Sequence, residues 1–157
     1  MGNEKIYNWV SDHFNYNDMQ NYNPFKPLVV WANTNSMLDK YYQEPDINLG
    51  KTQRDFNIRN SMRHIVGPAL MAQAYSPETA KVMGGLKEAR DFYAQQDFND
   101  ILLDLRNNNR GINYVENNPE STPKQIMDFA YKTTLQNLDK DYSDNLYNLL
   151  TRPEKQN

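Results

Sequence analysis

Ile58, Met62, Ile65 and Ala69 recur at offsets of four, seven and eleven within the run from Arg54 to about Tyr75. Those offsets place four apolar side chains on one side of an α-helix, where they need another surface to cover them. A strand would send two of the four to each face and bury neither pair well. Gly67-Pro68 lies inside the same run, so the spacing predicts a helix with a kink or break at that point.

Further helix signals follow. Ser76-Pro77-Glu78 supplies a capping hydroxyl, a proline for the first helical position and an acid for the first turn. The helix it opens is expected to run to about Gln95, with Val82, Leu86, Ala89 and Tyr93 inward. The segment ILLDLRNNN predicts a helix over about 98–109, and Gly111 is well suited to end it. Thr122-Pro123-Lys124-Gln125 forms a capping box. It opens a helix to about Leu138 with Ile126, Phe129, Ala130, Thr133 and Leu138 inward.

Upstream, Val29, Trp31, Met37, Leu38 and Tyr41 suggest a helix over 28–42, and the stretch 44–52 reads as a connector. A last short helix is expected from Ser143 to Leu150, followed by a frayed tail at 151–157. Residues 1–28 alternate Tyr, Asn and Asp without a sustained period. Pro24 and Pro27 bracket Phe25 there in a segment expected to be extended. Strand signals are weak throughout. The chain therefore reads as all-α: a compact bundle of about five helices over 29–150, with an irregular, aromatic and Asn-rich N-terminal arm over 1–28.

The core of such a bundle must be thin, because only 38% of the 157 residues are apolar and the mean hydropathy is -0.93. Eleven tyrosines and two tryptophans offset this, each burying a large ring while keeping a polar atom for a partner. The same residues suit a protein-binding surface. A net charge of -3 with dispersed lysines and arginines argues against a general nucleic-acid binder, which needs a basic stripe. No run approaches the ~20 apolar residues of a membrane span. The first residues lack the pattern of a signal peptide, and Ile6 spoils a myristoylation signal. Synthesis in a cytoplasm is expected, with later packaging into a virion open. With no cysteine, thiol catalysis and thiolate metal sites are excluded, and no cofactor or metal is expected.

The polar residues carry the functional reading. Asp104, Asn107, Asn108 and Gly111 stand at offsets of three, four and seven, which gathers them beside the Leu102 and Leu105 face expected to be buried. Glu88 lies off the apolar stripe of its own helix, one turn after Gly84 and Gly85. Two glycines inside a helix cost about 1 kcal/mol each relative to alanine, so close packing or room for a ligand is expected there. Arg63-His64 sits between Asn60-Ser61 and Gly67-Pro68, a titratable side chain ringed by small and polar ones.

This order of Arg63-His64, then Glu88, then Asp104-Leu105-x-Asn107-Asn108-x-x-Gly111 resembles an uncharacterised helical domain of bacteria and their phages. That domain often forms the C-terminal part of secreted toxin-like proteins. The resemblance spans residues 54–115. Lys87 stands where the family tends to have a histidine before its glutamate, and Gly67-Pro68 interrupts a helix that is usually smooth.

Two classes of function follow. In the first, the chain is a structural or assembly protein, a phage virion component. It would bind other protein subunits, further copies of itself or virion proteins through its aromatic arm and helical body. In the second, it is a small hydrolase-like or toxin-like domain with His64, Glu88 and Asp104 as catalytic candidates. His64 or Glu88 would act as base, Asp104 would orient the imidazole, and Arg63, Asn107, Asn108 and Gly111 would build the binding surface. Without a serine-nucleophile or His-Glu-x-x-His motif, water would be the attacking group.

Overall fold

The computed structural model describes residues 26–94 and 97–142. The described residues form five α-helices and no strand: α1 Lys26–Tyr41, α2 Gln53–Ala74, α3 Pro77–Tyr93, α4 Phe98–Asn117 and α5 Pro123–Asp141. Most of the arm expected over 1–28, the short helix at 143–150 and the tail at 151–157 lie outside them.

Each start follows from a local signal. Thr52 caps α2 in a capping box with Asp55, Ser76 caps α3 by accepting from the Thr79 amide, and Thr122 caps α5 in a box with Gln125. The Thr52–Asp55 box was legible as T-x-x-D, yet the sequence reading began this helix only at Arg54. At the front of α1, Lys26 and Pro27 are already helical, and so not part of an extended segment; proline is tolerated in a first turn because its missing N–H has no helical acceptor there.

Helix α2 is the axis of the bundle and packs against each of the other four. Its Ile58, Met62, Ile65 and Ala69 are all buried, as the spacing requires. The core around it takes Leu38 and Tyr41 from α1, Ile112 and Val115 from α4, and Ile126, Ala130 and Leu138 from α5.

Gly67 and Pro68 neither end nor interrupt α2, which stays helical through 22 residues. Pro68 has no N–H to give the His64 carbonyl one turn earlier. The Asn108 amide fills that gap, its NH2 donating to the His64 carbonyl at 3.0 Å. Gly67 is needed because the Trp31 ring lies on it; a Cβ there would sit 2.5 Å from the ring.

Two other expectations are reversed. Gly111 does not end α4, which continues to Asn117 with Gly111 in its interior. A Cβ on Gly111 would fall 1.9 Å from the Ile65 carbonyl oxygen, so the glycine sets how closely α4 crosses α2. On α3, Val82, Leu86 and Tyr93 are 60%, 61% and 85% exposed, and Ala89 is exposed too. The inward side carries Ala80, Gly84 and Glu88 instead. These stand at offsets of four and eight, and two small residues let α3 approach α4 closely enough to bury the carboxyl. Likewise Leu102 and Leu105 are only half-buried, while Leu103, Asp104, Asn107 and Asn108 take the inward face of α4.

Candidate functional site

The inward polar faces of α2, α3 and α4 meet. His64 from α2, Glu88 from α3 and Asp104 from α4 are each at most 2% exposed, and one ligand-type atom from each lies within 4.8 Å of the others. The imidazole stands between the two acids. Its Nδ1 is 3.6 Å from Glu88 Oε1, and its Nε2 is 3.3 Å from Asp104 Oδ2 without hydrogen-bond alignment. His64 Nε2 and Glu88 Oε2 are left without hydrogen-bond partners.

Asn108 fixes the imidazole. Besides the His64 carbonyl, the two hydrogens of its NH2 are shared with the Asp104 carbonyl at 3.2 Å and His64 Nδ1 at 3.2 Å. With Nδ1 accepting, the imidazole hydrogen belongs on Nε2, facing Asp104. Gly84 makes room for this side chain: a Cβ there would lie 3.0 Å from the end of the Asn108 amide. The carboxyl of Asp104 is held from its other side by Asn60 Nδ2, which donates to Oδ1 at 3.2 Å. Arg63 then donates to Asn60 Oδ1 at 2.6 Å, so this guanidinium acts on the centre through an intermediary.

Burial sets the protonation. Loss of water, together with the nearby positive charges of Lys87 and Arg63, pushes the His64 pKa down to about 3. Loss of water, together with the charge of Glu88, pushes Asp104 up to about 7. Glu88 is also raised by burial, partly offset by Lys87. At neutral pH the site therefore holds a neutral imidazole and a carboxyl poised to gain or lose a proton.

Two cavities are lined by residues that contact the three groups, Asn60 in one and Lys87 and Asn108 in the other. A groove of about 750 Å³ is lined by Asp39, Tyr42, Arg59, Asn60, Arg63 and Tyr142. A second pocket of about 260 Å³ is lined by Trp31, Met71, Met83 and Gly84, with Lys87 and Asn108 as polar wall. Lys87 covers Glu88: its Nζ donates to Glu88 Oε1 at 3.1 Å and to Asp91 Oδ2 at 2.8 Å.

Of the residues singled out from the sequence, His64, Glu88, Asp104 and Asn108 come together. Arg63 is one step removed. Asn107 faces elsewhere, accepting from Arg110 Nη1 at 2.7 Å, and Gly111 serves the α2–α4 crossing. The sequence reading names Asn60 beside His64 without a role for it, and gives no sign of Lys87 as a cover or of Trp31, whose ring meets the imidazole edge-on at 6.0 Å. It also missed the buried pair of Arg110 and Asp141, at 2.6 Å, which ties α4 to the end of α5. Asn60 was detectable, since it precedes His64 by one helical turn; the Arg110–Asp141 pair had no local signal. Comparison of the chain with protein-family models, with curated proteins and with solved structures finds no match.

Proposed function

We propose that this bundle is a small hydrolase-like domain in which His64, Glu88 and Asp104 form a sheltered acid–base centre. One observation carries the reading: three titratable groups from three helices converge where burial holds a carboxyl at about 7. A group poised near neutrality both takes and returns a proton efficiently, and a stable core alone has no need of one.

The 260 Å³ pocket is the way in. A substrate there meets Lys87 and Asn108 first, with Trp31, Met71 and Met83 against its apolar part. Swinging Lys87 wholly onto Asp91, already its shorter contact, uncovers Glu88 to activate water. With the imidazole hydrogen moved to Nδ1, where the Asn108 amide oxygen can accept it, Asp104 then gives its proton to Nε2 as Nδ1 releases one to the leaving group.

The test is hydrolysis of chromogenic carboxylic and phosphate esters by the purified chain, with Glu88→Gln and Asp104→Asn as variants. The reading expects Glu88→Gln to abolish turnover and Asp104→Asn to remove the limb of the rate–pH profile near 7. Turnover unchanged in both variants, or absent from the parent across both ester classes, overturns it.

A second reading, an assembly module, is favoured by the exposed Val82, Leu86, Phe92, Tyr93 and Phe98 around α3 and the start of α4. Apolar groups gathered on a surface mark contact sites for other proteins. Under it, Val82→Glu with Leu86→Glu leaves a folded monomer that no longer associates, as measured by light scattering. Deletion of residues 1–25, the part of the arm before α1, does the same if the arm also binds. Association unchanged by both removes the reading.

A further inference from the structure

We propose that His64, Glu88 and Asp104 together ligate one divalent transition-metal ion of the zinc or manganese kind. The inference deepens the hydrolase-like reading, on which it rests for its use of the same three groups. One imidazole nitrogen and two carboxylate oxygens are a ligand set for such ions, whereas calcium and magnesium favour oxygen alone. With bonds of about 2.0–2.2 Å, two donors sharing an ion stand roughly 3–4 Å apart. The 3.3 Å between His64 Nε2 and Asp104 Oδ2 is already in that range. All three donor atoms lie within 4.8 Å of one another, so no pair has to close by more than roughly an ångström.

A second observation points the same way. His64 Nε2 and Glu88 Oε2 are buried polar atoms with no hydrogen-bond partner, and both belong to this centre. Neither neighbouring cation satisfies them. Lys87 occupies the other oxygen of Glu88 and is balanced by Asp91, and Arg63 is held off behind Asn60. An ion would satisfy both atoms at once.

Asn108 can serve the other state of the imidazole at the cost of its bond to the His64 carbonyl. Turned end for end, its amide presents oxygen to His64 Nδ1 at 3.2 Å. Nδ1 then carries the proton and donates it, leaving the Nε2 lone pair for the ion, an arrangement usual for metal-bound histidine. Three protein ligands leave at least one position for water.

The experiment titrates Zn²⁺, Mn²⁺ and Co²⁺ into the chelator-stripped, dialysed full chain, followed by calorimetry and, for Co²⁺, by visible absorption. One ion per chain is expected, with a raised Tm and a Co²⁺ spectrum of a low-coordinate nitrogen–oxygen site. Glu88→Gln and Asp104→Asn, near-isosteric and checked by circular dichroism, are expected to lose the ion. Asp139→Asn, at an exposed pair with Arg54, is expected to keep it. Failure of the parent to bind any of the three ions, or binding undiminished in Glu88→Gln and Asp104→Asn, overturns the proposal. An ion bound without ester hydrolysis upholds the metal site and sinks the hydrolase reading. Hydrolysis that continues in chelator with no ion bound does the reverse.

Discussion

Swapping one atom in Asp104 or replacing the His64 ring should reveal two opposed pH dependences that the parent chain conceals. Asp104 moves from 3.8 to about 7 on folding, and His64 from 6.5 to about 3. Between 3.8 and 6.5 the folded chain keeps its proton on the carboxyl, and the unfolded chain keeps it on the imidazole. Both states hold the same number of protons, so these two groups leave stability flat there. In Asp104→Asn only the imidazole titrates. The unfolded chain then binds the extra proton, and stability falls as pH drops from 6.5 toward 3. At about 1.4 kcal/mol per pH unit, the full span is about 5 kcal/mol. In His64→Gln only the carboxyl remains. The folded chain binds the extra proton, so stability falls as pH rises from 3.8 to about 7. That loss totals about 4 kcal/mol. Urea denaturation followed by far-UV circular dichroism, in chelator, at half-unit steps from about pH 4 to 7 measures all three curves. Opposite slopes in the two variants are the expected result. If both run parallel to the parent, the imidazole and the carboxyl do not trade a proton on folding, and the electrostatic account of the centre is wrong.

Gly111→Ala should destabilise by about 2 kcal/mol or more in thermal unfolding, because its Cβ meets the Ile65 carbonyl at 1.9 Å. The same change at an uncrowded helical glycine would gain about 1 kcal/mol, so the sign alone is diagnostic. Asn108→Ala should cost about 1–3 kcal/mol by leaving the His64 carbonyl without a donor. Pro68→Ala restores a helical donor to that oxygen. A double-mutant cycle should therefore show the loss at Asn108 reduced in the Pro68→Ala background, whereas additive effects would refute the link. Arg110→Met alone should cost about 3–5 kcal/mol by stranding Asp141, while Arg110→Met with Asp141→Leu should recover most of it. Equal losses in the single and double variants would show that the pair does not act as a unit.

The all-α class and the α2 stripe were legible because helical period and cap chemistry are local, carried within a few residues at Ile58–Ala69, Ser76 and Thr122. The faces of α3 and α4 were not. A periodicity argument assumes that the apolar side turns inward, and here Ala80, Gly84 and Glu88 do so in place of Val82 and Leu86. Close helix approach and a paired polar cluster outweigh the transfer of two aliphatic side chains. Ala80 and Gly84 before Glu88 held the clue, since small residues one helical turn apart permit that approach. The continuity of α2 through Pro68 was hidden for a different reason. The donor replacing the lost helical bond comes from Asn108, forty residues downstream, and no reading of the local sequence reveals it. His64, Glu88, Asp104 and Asn108 could be named because their helical offsets set them apart. Their convergence required knowing which side of each helix meets α2.

Because α2 touches every other helix of the bundle, detaching any one of them exposes part of the same central surface. Such an architecture leaves little scope for one half to open while the other stays closed. Amide hydrogens of α2 should accordingly exchange only through whole-molecule opening, with protection equal to the global free energy. The ends of α1, which packs chiefly against α2 alone, should exchange sooner.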